Sequence, residues 1–302
     1  MLRDLSAATL HLIAFLLGSL LWMLAMGAAL AVVWMVRDPS LLSGPVDLAD
    51  LDGLTMGLSS ALQIVGLAAL AALLAMAMGT QPDAEGRRAW WSLPQGSEVG
   101  ARLRRHLALR RFPWVWGVVG FAGGLTVWTF PSFVATWLVD TFGFESVSLE
   151  ATTRLLLEGP LLDRLAMGFA VVGTAPLFEE LIFRGYLWEV AERATGRWGA
   201  FAVTTLLFAA YHIDPVHMVS LLPTAVFLGA LRMASGSLWP GVLAHLANNG
   251  IAVVIAVLTQ HLPDDDTLPL WISLSGTALT ALVFLAGYTW SRARPLPDGA
   301  PP

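Results

Sequence analysis

Three short stretches hold the residues of this sequence whose types and spacing can do chemistry. The first, "LFEELIFRGYLW" (177–188), sets two adjacent glutamates and an arginine in apolar surroundings. On a helix Glu180 and Arg184 are four positions apart and share a face, so they can pair. Glu179 lies about 100° around the axis. Its own i+3 and i+4 neighbours, Ile182 and Phe183, cannot compensate a charge. The spacing therefore predicts a division of labour, with Glu180–Arg184 a structural ion pair and Glu179 left without a cation. A carboxylate in that position, partly out of water, is a stronger base than usual and suits general-base work.

The second stretch, "LFAAYHIDP" (207–215), puts Phe208 and His212 on one face, with His212 at the end of a short apolar span. His217, two residues past Pro215, falls near a loop and has no assigned role. The third, "SGSLWPGVLAHLANNG" (235–250), suits a helix that starts at Trp239 and Pro240. His245 and Asn249 then share a face and Asn248 is rotated off it. Taken singly, each stretch also fits a purely structural role. The glutamates can tie helices together, His212 can make one inter-helix bond, and His245 with Asn249 can be interhelical glue at ~0.6 kcal/mol per bond. Together they compose a hydrolytic site. Glu179 with His212 would orient and deprotonate a water, and His245 with Asn249 would stabilise the oxyanion formed when that water attacks a peptide carbonyl. No serine or cysteine nucleophile is needed. The chain has no cysteine at all, which also excludes disulfides and thiolate metal sites.

The elements that must position these residues are membrane helices. Of 302 residues 56% are hydrophobic and only 13% charged, the profile of a polytopic membrane protein. At about 20 apolar residues per crossing, spans fall near 8–36, 54–79, 113–139, 164–188, 198–213, 216–233, 238–260 and 267–290. The expected fold is an all-α, polytopic transmembrane bundle of about eight helices. The first apolar run is too long for a signal peptide and reads as a retained helix.

All 17 basic residues are arginine. With eight spans and a cytoplasmic N-terminus, fourteen arginines fall inside and three (Arg37, Arg154, Arg164) outside, so both termini are expected in the cytoplasm. The outer segments are acidic, as in "DLADLD" (47–52) and "PDDD" (263–266). The arginine-rich "ARLRRHLALRR" (101–111) reads as a basic loop lying on anionic headgroups, or alternatively as a docking site for a soluble partner. Nothing has the spacing of a nucleic-acid reader. Three regions are expected: 1–140, N-terminal helices with the basic loop; 141–290, a catalytic core; and 291–302, a proline-rich disordered cytoplasmic tail.

"EELIFRG", "FAAYH" and "HLANN" resemble, in order, the EExxxR, FxxxH and HxxxN-type motifs of the CPBP family of CAAX-processing and bacteriocin-processing membrane proteases. "GSLWPGVLAHLANN" is similar to that family beyond the bare motif. The resemblance covers 160–252 and implies an intramembrane endopeptidase with general-base Glu179, water-orienting His212 and an oxyanion pair of His245 and Asn249. Glu180 and Arg184 fall on the remaining positions of the first motif, and Phe208 on the second. Substrates implied by the resemblance are prenylated CAAX proteins, bacteriocin-like leaders or other membrane-associated polypeptides.

Members of the family are often labelled metalloproteases, and Glu179, His212 and His245 are a possible zinc set. In that case Glu180 would have to be the base, although Arg184 claims it, and no HExxH helix is present. A metal-free mechanism without cofactor is the preferred expectation, with zinc the alternative. Two further alternatives are a catalytically silent membrane scaffold and a proton-coupled transporter. Counted at 1.5 Å per residue along straight helices, Glu179, His212 and His245 differ in depth by about 12 Å, which tilt or shifted helix ends would have to close.

Overall fold

A computed structural model of the chain describes residues 2–37, 53–79, 90, 96–144, 152, 154–259 and 268–293. The expected acidic segments at 47–52 and 263–266, most of the basic loop before residue 96 and the tail from 294 lie outside these. The described elements are helical: α1 (Leu2–Arg37), α2 (Gly53–Ala77), α3 (Val99–His106), α4 (Trp114–Val127), α5 (Thr129–Phe142), α6 (Leu161–Tyr211), α7 (Pro215–Ser220), α8 (Leu222–Ser235), α9 (Trp239–Thr259) and α10 (Leu270–Ala293). Among the described residues no strand occurs. The fold is an all-α polytopic bundle, and the protein is an integral, multi-pass membrane protein.

Among the described residues six stretches are long and apolar enough to cross a bilayer, with α4 and α5 together forming one and α6 another. The relation to eight spans lies in α6. Its 51 residues are broken at Gly196, whose φ of 76° and ψ of 178° suit a residue without a Cβ. Phe183 packs against Phe208 at 5.3 Å and Tyr211 at 5.6 Å between ring centroids, so the two halves fold back as a hairpin. This resolves the expected fourth and fifth spans. The sixth corresponds to α7 and the 14-residue α8, too short to cross alone.

Contacts between helix ends sort the bundle into two faces. At one, Arg102 donates to the carbonyls of Met76 and Met78 at the end of α2 (3.2 and 3.3 Å), Arg193 donates to Gly79 O (3.3 Å), Leu238 N–H bonds Ala108 O (3.0 Å), and Trp114 meets Trp290. This face carries the arginines of α3 and its following turn. Arg104, Arg105, Arg110 and Arg111 are exposed there, as a headgroup-facing loop requires. Arg102 departs from that reading. It is buried, paired with Glu98 at 2.9 Å and spent on the open carbonyls of α2.

The tightest inter-helix packing joins α4 to α9. A Cβ placed on Gly120 would lie 2.3 Å from Pro240 O, and one on Gly124 2.2 Å from Ala244 O. Small residues four apart thus let two backbones touch, as in other membrane helix pairs. The helix carrying His245 and Asn249 is seated on this contact.

Candidate active site

All three chemical stretches line one cavity of about 300 Å³. Glu179 reaches it from α6, Phe208 and His212 from the second half of that hairpin, and His245 and Asn249 from α9. The depth difference counted along straight helices is not an obstacle. Two π-helical segments, Phe169–Thr174 and Leu181–Leu187, flank Glu179 and Glu180 in α6, and the hairpin at Gly196 resets the second half. Such turns shift register, and they recur at functional sites.

Beneath the cavity, Glu180 and Arg184 form the ion pair that their spacing predicts. Arg184 Nη1 lies 3.0 Å from Glu180 Oε1, and both side chains are sealed from solvent. A buried pair needs further partners to offset its desolvation, and Arg184 has two. Its Nη2 donates to Ala225 O at 3.1 Å, and its guanidinium lies 4.3 Å over the Phe208 ring. Phe208 in turn packs edge-on against His212 (5.2 Å) and His245 (5.7 Å). The aromatic ring thus connects the ion pair to both histidines. Gly241 is part of this floor, since a Cβ there would come 2.8 Å from Glu180 Oε2.

Glu179 is buried, and its Oε2 lies 3.9 Å from His245 Nε2, too far for a hydrogen bond. The other nitrogen of that ring, Nδ1, faces Glu180 Oε1 at 3.4 Å. His245 therefore stands between two carboxylates. A donor role at Nε2 requires a proton there.

His212 is held differently. Its Nδ1 lies 3.0 Å from Phe208 O, a carbonyl that can only accept, so Nδ1 carries a proton and, in the neutral ring, Nε2 keeps a lone pair. The chain turns directly after it, with Ile213 at φ 60°. Asp214 then caps α7 by accepting from the N–H groups of Val216 and His217, and Pro215 takes the first helical position. Asn249 is pinned at both ends, its Nδ2 donating to Val171 O at 2.9 Å and its Oδ1 accepting from Asn248 Nδ2 at 3.1 Å. That pattern fixes the amide orientation and leaves one N–H of Asn249 for the cavity.

Several lining residues escape the sequence motifs. Asn248 also faces the cavity, although helical spacing rotates it away from His245. A wide wall accepts both neighbours. His217 lines the cavity too, 5.8 Å from His212 between ring centroids. Trp128, Pro131 and Ser132 come from the α4–α5 span, a region whose sequence carries no sign of a site. As for zinc, no three His, Cys, Asp or Glu side chains among the described residues come together as a metal-ligand group.

No curated protein or solved structure matches the chain. One family model matches residues 161–251, described as type II CAAX prenyl endopeptidase Rce1-like. The match begins with α6 and ends just past Asn249, so it takes in the elements that bear Glu179, Glu180, Arg184, Phe208, His212, His245 and Asn249. The segment that supplies these seven residues is thus similar to the type II CAAX prenyl endopeptidase family.

Proposed function

We propose that the protein is an intramembrane endopeptidase that hydrolyses peptide bonds of membrane-associated polypeptides with a glutamate-activated water and no metal. The observation that carries this reading is the meeting of Glu179, His212, His245 and Asn249 on the wall of one cavity. A water held between the Glu179 carboxylate and the lone pair of His212 Nε2 would lose a proton to Glu179 as it attacks the carbonyl carbon. The oxyanion would be met by the remaining Asn249 N–H and by His245 Nε2–H. Glu179 would then return its proton to the leaving amine. Glu180 and Arg184 hold His245 and Phe208 in place and take no part in proton transfer. The arginine bias supports cytoplasmic termini.

The test is cleavage of a peptide library by purified full-length protein in detergent, read by mass spectrometry, for wild type and Glu179→Gln with and without chelator. Cleavage lost in the variant and indifferent to chelator is the expected result. Loss on chelation would return zinc to the mechanism. Equal behaviour of wild type and variant would remove Glu179 from the chemistry and favour the scaffold.

A further inference from the structure

The cavity has a direction. On the arginine-rich side of Glu179 it ends in a closed floor, where Glu180 and Arg184 are both 0% exposed and Phe208 is 1% exposed. Away from that side α6, α9 and the turn before α8 add lining residues that are only half-buried, while Pro131, Ser132 and Leu156 form a buried wall. On α6, which runs toward the arginine face, these are Ala175 and Val171, about one and two turns before Glu179. On α9, which runs away from that face, they are Ala252 and Val253, beyond Asn249. On the turn and helices after His212, Leu221 completes the same rim. Three independent chain directions thus place the floor toward the arginine face and the mouth toward the opposite one.

The two faces differ in charge. The exposed arginines following α2 mark the cytoplasmic side by the positive-inside rule. At the other end the described charges include Asp140, Glu158 and Asp163 with only Arg154 and Arg164. We infer that the active site opens to the extracytoplasmic side of the membrane, and that its substrates are exported or membrane-anchored polypeptides whose scissile bond lies on that side. This rests on the protease reading. A cytosolic C-terminal tail, prenylated or not, meets the sealed Glu180–Arg184–Phe208 floor from its own side. The walls include apolar Pro131, Leu156 and Val253 beside polar Ser132 and Thr152. That suits an extended segment with apolar side chains beside the cleaved bond.

The absence of cysteine makes a direct test simple. Leu221→Cys and Ala252→Cys at the rim, and Arg105→Cys on the arginine face, are labelled with a membrane-impermeant maleimide in right-side-out and inverted vesicles. The best-cleaved library peptide is supplied outside the same sealed vesicles carrying wild-type protein. The inference expects both rim cysteines to label, and the peptide to be cut, in right-side-out vesicles, with Arg105→Cys labelled only in inverted ones. Rim labelling and cleavage confined to inverted vesicles overturns it while leaving the protease reading intact. Rim labelling from outside with no cleavage even in detergent overturns the protease reading, and with it the substrate class, while the direction of the opening stands.

Discussion

Gly124→Ala is the most informative single change outside the catalytic residues. The added Cβ would lie 2.2 Å from Ala244 O, whereas ordinary contact begins at 3.4 Å, and the obstacle is backbone that cannot rotate away. The α4–α9 pair must separate by about 1 Å, a displacement that on its own can cost about 10²-fold in rate when it moves catalytic groups. His245 directly follows Ala244, so the displacement falls on a residue of the proposed catalytic set. Gly117→Ala is the matched control. Its Cβ meets only the Phe112 and Leu243 side chains, at 3.3 and 3.5 Å, and these can yield. The assay is kcat for the best-cleaved peptide in detergent, with thermal melting measured in parallel. Gly124→Ala should lose about two orders of magnitude in kcat, with destabilisation in the ~1–3 kcal/mol range of overpacking. Gly117→Ala should stay near wild type in both. Wild-type kcat and melting in Gly124→Ala would refute the claim that this backbone contact positions α9.

Three further outcomes follow from the same geometry. Arg184→Met leaves a sealed Glu180 without its cation and Ala225 O without its donor. Breaking such a pair costs about 3–5 kcal/mol, so the yield of folded protein and the melting temperature should fall sharply, and unchanged melting would contradict the buried pair. Asn249→Ala removes one proposed oxyanion donor, and kcat should fall by about 10²–10³-fold with KM little changed; a pure KM effect would assign Asn249 to substrate binding. Gly241→Ala pushes on Glu180 Oε2 from 2.8 Å, and through Glu180 on His245 Nδ1. Kinetics should show a smaller loss in kcat than for Gly124→Ala, because a carboxylate can shift where a backbone cannot.

Much of the site was legible because its residues obey helical spacing within single stretches. The Glu180–Arg184 pair, the shared face of Phe208 and His212, and the start of α9 at Trp239 all follow from local periodicity. What could not be read depends on local departures from the regular helix and on contacts between distant stretches. The reversal between the fourth and fifth spans was expected, but nothing in the sequence singled out Gly196 as its pivot or the two π-helical segments that flank Glu179 and Glu180. Gly120 and Gly124 lie in an apolar run rich in glycine, where only the partner helix reveals which of them touch backbone. Trp128, Pro131 and Ser132 reach the cavity because α4 and α5 are packed beside α9, a relation no motif encodes. Arg102 shows the converse, a residue in an apparently solvated basic run that is buried by capping α2.

The central claim is that Glu179 and His212 act on one water as a unit. The most direct measurement is a double-mutant cycle of Glu179→Gln and His212→Ala, read as kcat/KM for the best-cleaved peptide. Each single change should cost about 10²–10⁴-fold, the range for a general acid–base group. Groups that act as a unit are grossly non-additive, so the double variant should be little worse than the weaker single one. Losses that multiply, or a single variant at the wild-type rate, would contradict the shared water.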